Sequence, residues 1–176
     1  GLRVRLAVTA QVAADGSLVG VVSLNQLRDP FGGAVDGVMR RIDGADTLAE
    51  LADLAAGARQ LGATLFARHP DAGMLTAVLT ALNDVLTRRV IERVLADRGQ
   101  PPAPWCWVVM GSGGRFEQTF STDQDNGLIF STASAAEAAA LRSWFLPLGQ
   151  AVNQALDRCG IPLCAGGIMA GGALER

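Results

Sequence analysis

Two aspartates stand one residue apart in Asp123-Gln124-Asp125, shortly after a glycine-rich turn, Gly111-Ser112-Gly113-Gly114, that closes the apolar run Trp105 to Met110. Alternate residues of an extended chain share a side, so Asp123 and Asp125 project together while Gln124 points away. Two carboxylates so placed form a claw for a hard divalent cation. Mg2+ takes oxygen ligands, keeps several waters, and is held by one or two carboxylates together with substrate phosphates. The Gly111-Ser112 turn adds backbone N–H groups and a hydroxyl suited to a triphosphate, and Gly113-Gly114 let that backbone approach closely. The plainer reading of the aspartates is a solvated turn with a helix cap.

Other chemistries fail on particular residues. All 15 basic residues are arginine, which removes a Walker-type phosphate lysine, a Schiff-base lysine and a Ser-Lys dyad. The dinucleotide fingerprint G-x-G-x-x-G fails at Phe116, and a nucleophile elbow G-x-S-x-G fails at Met110. A serine hydrolase would need His69, the one histidine, as its base, and His69 beside Pro70 reads as a helix-end residue. Cys106, Cys159 and Cys164 with His69 lack the spacing of a zinc knuckle and read as free thiols in a reducing cytoplasm.

The elements that must position the claw follow from the patterning. Arg3 to Ala10 and Leu18 to Leu24, separated by Asp15-Gly16-Ser17, read as a hairpin, and Asn25 to Ala34 as a linker. Residues 34–98 carry helical periodicity, including Leu48, Leu51, Leu54 and Leu61, then Leu75, Val78, Leu79, Leu82, Leu86, Val90, Ile91 and Val94. Asp46 or Thr47 caps the first long helix, and His69-Pro70-Asp71 divides it from the second. Arg88, Arg89, Glu92 and Arg93 read as a solvated helix face, with phosphate binding by these arginines as the alternative. Trp105 to Met110 is a strand, apolar on both faces and therefore central, and Asn126 to Phe130 is a second. Residues Ser134 to Cys159 form a helix that opens with a Ser134/Glu137 capping box and is interrupted or bent at Pro147. The fold class is α/β (α+β): an N-terminal helical region and a small mixed sheet.

With 176 residues the chain can bury a core of its own, and a net charge of −2 leaves no basic footprint for nucleic acid. The uncharged stretches are broken by Pro and Gly, which argues against a membrane span, and no apolar leader follows a basic start. A cytoplasmic protein is the expectation.

The pattern G-S-x-G-R-x-E-Q from Gly111 to Gln118, ending in T-D-Q-D-N at Asn126 after a strand, resembles the nucleotidyltransferase superfamily to which DNA polymerase β belongs. More narrowly it resembles the bacterial nucleotidyltransferases related to PII-protein uridylyltransferase, in which such a domain follows CBS or cyclic-nucleotide-binding modules. Leu82-Asn83-Asp84 and residues 162–170 add support, and residues 15–27 look like the closing strands of a CBS module, so residues 1–30 read as a CBS-like remnant or a plain hairpin. Residues 99–176 would then be the nucleotidyltransferase-like core.

The resemblance implies Mg2+-dependent transfer of a nucleoside monophosphate from an NTP to a protein or small-molecule acceptor, in signalling, with pyrophosphate leaving. Asp123 and Asp125 would be the catalytic residues and coordinate two Mg2+ ions, while Gly111, Ser112 and Gly113 hold phosphates. Arg115 would contact phosphate or pair with Glu117, and Glu117, Gln118 and Asn126 would support the site by hydrogen bonding. A third metal carboxylate is usual in the superfamily. Here Glu137, Asp157 and Glu175 are the remaining choices, none at a convincing position, so that the core reads as truncated before it. Two alternatives stay open: an inactive nucleotide-sensing module, and an interaction domain whose Ala-rich helices form a homodimer.

Overall fold

The structure, a computed structural model, describes residues 9–12, 18–22, 33–68 and 70–172. Strands β1 (Thr9–Val12) and β2 (Leu18–Val22) pair antiparallel, with an irregularity between Gln11 and Val12. The turn expected at Asp15-Gly16-Ser17 and most of the expected linker lie outside the described residues, as does His69. Helices α1 (Ala34–Gly44), α2 (Leu48–Arg68) and α3 (Ala72–Arg98) follow, then β3 (Trp105–Val109), the single turn α4 (Gly111–Gly114), β4 (Asn126–Phe130) and α5 (Ala135–Arg158).

Helices α2, α3 and α5 each begin where a side chain can receive orphaned N–H groups. Thr47 Oγ1 accepts from Glu50 N at 3.1 Å, and Asp71 Oδ1 accepts from Met74 N at 3.0 Å. Ser134 Oγ accepts from Glu137 N at 3.2 Å, while the Glu137 carboxylate reaches back to Ala133 N at 2.6 Å. Glu137 is thereby committed to the helix start. Helix α5 continues through Pro147 without a break.

α3 is buried on more than one face, at Val78, Leu79, Leu82, Leu86, Val90, Ile91 and Val94, because it packs against α1, α2 and α5 together. One apolar cluster runs from Val35 to Ile161. The small sheet joins it through Trp105, Trp107, Leu128 and Phe130. Phe130 stacks on Phe145 of α5 with centroids 4.9 Å apart and planes 7° from parallel, and Trp144 meets Phe145 edge-on at 4.9 Å. Such ring pairs contribute about 1 kcal/mol each beyond their buried area.

β3 and β4 are antiparallel, with Trp105 opposite Phe130 and Val109 opposite Asn126. Their other face carries the cross-strand pair Cys106 and Ile129, and Ile129 is 60% exposed. Apolar composition predicted cover on both sides of β3. Among the described residues the second side is open.

The arginines of α3 also differ from their reading as a solvated face. Arg89, only 17% exposed, donates from Nε at 2.9 Å and from Nη2 at 2.7 Å to the carbonyl of Ala45, a fully buried residue just past α1. Arg88 pairs with Asp43 and Glu92. These side chains fasten the α1–α2 turn. Arg89→Ala is expected to lower stability by about 2 kcal/mol, the cost of stranding a buried carbonyl that had a charged donor. Arg89→Lys, lacking the planar fork, should recover only part of that in urea unfolding.

Candidate active site

β3 delivers the chain to Met110, whose N–H donates to the Asp125 carbonyl at 2.8 Å and so carries the β3–β4 ladder one step beyond Val109 and Asn126. The chain then reverses at Gly111, with φ of 55°, in the left-handed region that favours glycine. A Cβ on Gly111 would overlap Asp125 Oδ2 and lie 2.8 Å from its Cγ. The Asp125 carboxylate therefore rests directly against the turn.

The next glycines are small for packing reasons. A Cβ on Gly113 would meet Val109 Cγ1 at 2.5 Å and Gln118 Nε2 at 3.0 Å, and one on Gly114 would meet the Val109 carbonyl oxygen at 2.9 Å. Their missing side chains are filled by protein atoms rather than left open for a phosphate. No hydrogen bond is made to the N–H groups of Gly111, Ser112 or Gly113 among the described residues, so the donors at the front of α4 stay available.

Gln118, 7% exposed, fastens the far end of the loop to α3: its N–H donates to Thr80 Oγ1 at 3.4 Å and its Oε1 accepts from Asn83 Nδ2 at 3.1 Å. Between these anchors Arg115, Phe116 and Glu117 face solvent. Arg115 Nε donates to Glu117 Oε2 at 2.8 Å, both side chains about three-fifths exposed. Phe116 holds φ at 59°, an uncommon conformation for a bulky residue.

Alternation through Asp123-Gln124-Asp125-Asn126 sorts the chain into two roles. Gln124 and Asn126 are 3% and 5% exposed, whereas Asp123 and Asp125 are half-buried. Both aspartates line one cavity of about 30 Å3, as do Gln124 and Asn126 between and beside them, together with Thr87, Trp107 and Gln118. That is room for a water or an oxygen of a ligand. Asp125 Oδ1 accepts weakly from the Cys164 thiol at 3.6 Å, and Asp123 makes no hydrogen bond or ion pair among the described residues. Neither carboxylate is neutralised by an arginine. Trp107, which also borders this cavity, has a buried Nε1 with no hydrogen-bond partner among the described residues.

A pair of unneutralised carboxylates facing a polar cavity fits Mg2+, which prefers oxygen donors. No three His, Cys, Asp or Glu side chains converge on one point among the described residues. Glu137 serves the α5 cap and Asp157 sits at the end of that helix, while Glu175 lies outside the described residues. Cys106, Cys159 and Cys164 form no joint site, and burial pushes the Cys159 thiol up to about 11.

The back of the site is made by residues 162–172, an irregular, glycine-rich segment whose role was not legible from pattern. Gln124 N–H donates to the Pro162 carbonyl at 2.9 Å and Asn126 N–H to the Ile168 carbonyl at 3.2 Å. Ala170 N–H donates to Asn126 Oδ1 at 2.9 Å and Gly171 N–H to Asn153 Oδ1 at 2.8 Å. Sequence reasoning passed over Asn153. Its signal was a polar residue on the apolar stripe Gly149, Val152, Ala155, Leu156 of α5.

A family model described as "Putative nucleotidyltransferase DUF294" matches residues 56–174, more than half of the chain. The chain belongs to this family. The match begins within α2, so it takes in the rest of that helix and α3 as well as the sheet and residues 123–125. No curated protein and no solved structure gives a match. Among the described residues, no helix is long and apolar enough to cross a membrane.

Asp84 stands on α3 beside Asn83 and has a raised pKa. Partial burial lifts it from the ordinary 3.8 to about 6. The folded value lies above the unfolded one, so the ionised group weakens the fold. That cost is absent below about pH 4 and grows as pH rises through about 6. Asp84→Asn is expected to raise Tm at pH 7.5, with the gain shrinking away as pH falls to 4. Asp84 is nonetheless exposed to solvent by surface area, and screening there keeps the effect small.

Proposed function

We propose that this chain is a Mg2+-dependent nucleotidyltransferase domain, with Asp123 and Asp125 as metal ligands and the turn at Gly111-Ser112-Gly113 as the phosphate-binding element. The observation that carries the reading is the placement of two unpaired carboxylates in one cavity, with Asp125 against the Gly111 turn. Membership of a family described as nucleotidyltransferases makes an NTP the fitting substrate.

In the transfer, an acceptor hydroxyl oxygen bonds to the α-phosphorus, and the bond from that phosphorus to the oxygen bridging to the β-phosphate breaks. Pyrophosphate leaves with the electron pair of that bond, and the hydroxyl proton passes to water. The N–H donors of Gly111, Ser112 and Gly113 and the Ser112 hydroxyl receive the β- and γ-phosphates. Asp123 and Asp125 hold the cations. Bound Mg2+ supplies charge stabilisation at the attacking and leaving oxygens. Arg115, exposed and paired among the described residues with Glu117 alone, can exchange that partner for a phosphate at little cost.

The finer reading is a protein or small-molecule hydroxyl as acceptor, in cytoplasmic signalling, with kinship to PII-protein uridylyltransferase and a CBS-like N-terminus. It is supported by the likeness of the Gly111 to Asn126 motif. A second reading, a nucleotide-sensing module without turnover, is favoured by one observation: only two carboxylates meet at the cavity among the described residues. Pyrophosphate release separates the two. Incubated with each of the four NTPs, the transferase should release pyrophosphate in Mg2+ and stop when EDTA is added. NTP binding without any release would support the sensor, and neither binding nor release would remove both.

A further inference from the structure

We infer that Asn153 of α5 is a positioning residue for the metal-binding pair, setting Asp125 and, through Gln124, Asp123; the inference rests on the metal-binding reading proposed above. Asn153, 3% exposed, commits both atoms of its side-chain amide and its carbonyl to this network. Its Nδ2 donates to Gln124 Oε1 at 2.8 Å and to Asn126 Oδ1 at 2.9 Å, its Oδ1 accepts from Gly171 N, and its carbonyl accepts from Gln124 Nε2 at 2.9 Å. Gln124 Nε2 also donates to the Ile161 carbonyl at 2.8 Å.

The two residues held by the Asn153 amide are the ones that flank Asp125. Gln124 in turn separates Asp125 from Asp123. Only one orientation of the Asn153 amide works: turned over, its oxygen would face two acceptors, Gln124 Oε1 and Asn126 Oδ1, and its NH2 would face the Gly171 N–H. A helix of the core thus dictates where the claw's main chain lies. Side chains acting behind metal ligands in this way alter metal affinity about 10- to 100-fold when removed.

Mn2+ binding to the 176-residue chain, followed by the electron paramagnetic resonance signal of the free ion, tests this. Asn153→Ala, assayed well below its Tm, should bind Mn2+ about 10- to 100-fold more weakly than wild type. Ile42→Ala, a core truncation in α1, an element that supplies none of the hydrogen bonds of the amide network, serves as the stability control. It should lose Tm yet keep wild-type Mn2+ affinity. If Asn153→Ala does not fold, Asn153→Ser replaces it; a single hydroxyl cannot serve Gln124, Asn126 and Gly171 together, so the same loss is expected. Wild-type affinity in the folded Asn153 variant, or an equal loss in Ile42→Ala, overturns the positioning role while leaving the metal site standing. A wild-type chain that takes up no Mn2+ overturns both.

Discussion

Gly111→Ala is expected to lower stability by about 2 to 4 kcal/mol and to disable cation binding with it. Two costs combine. Alanine at a φ of 55° is strained, and its Cβ would overlap the Asp125 carboxylate, which must swing away. For a chain of this size the loss corresponds to a fall in Tm of roughly 5 to 15 °C. Gly33 offers the matched control, since it also has a positive φ, 46°, but nothing within 4 Å of a Cβ. Gly33→Ala should show the backbone strain alone, a smaller fall in Tm, and unaltered Mn2+ binding. If the two variants lose the same stability and both bind Mn2+, the contact between the turn and Asp125 has no functional weight.

The second large effect is on chemistry rather than folding. Asp123→Asn and Asp125→Asn each remove a charge while keeping shape. Asp123 makes no hydrogen bond or ion pair among the described residues, and Asp125 loses only a weak thiol contact. Stability should therefore move by about 0.5 kcal/mol or less. Pyrophosphate release should fall roughly 1,000-fold, the equivalent of about 4 kcal/mol of lost transition-state stabilisation. The two substitutions together should cost little more than one, because either leaves the cation without its second carboxylate. A variant that melts at the wild-type temperature and releases pyrophosphate at the wild-type rate would remove its aspartate from the site.

Much of this arrangement was readable from the chain because local rules and tertiary packing agree. The apolar stripes of α2 and α3, the Thr47 and Ser134 caps, the division of α2 from α3 ahead of Ala72, and the strands ending at Val109 and beginning at Asn126 all fall close to where spacing predicts. Burial alternates along this stretch as the spacing predicts, with Gln124 and Asn126 in the interior and the aspartates half-buried, although all four side chains border one cavity.

What pattern could not supply was the identity of partners distant in sequence. Arg89 reads as a surface charge until α1 is seen to end beneath it at Ala45. Gly113 and Gly114 read as room for a phosphate, yet the space is taken by Val109 and Gln118. Residues 162–172 have no periodicity because their backbone groups bond to side-chain amides and to α5 rather than to a ladder. Asn153 is the same case from the other side: a polar residue on an apolar stripe, explained only once Gln124, Asn126 and Gly171 are brought to it.

The most direct test of the site is an equilibrium titration of each NTP into the chain in Mg2+, in EDTA, and with the Asp123→Asn/Asp125→Asn double variant in Mg2+. At least one nucleotide should bind in Mg2+, and that binding should be lost both on chelation and in the double variant. Binding of equal strength in all three settings, or of no nucleotide in any, would contradict an Mg2+-dependent nucleotide site at Asp123 and Asp125.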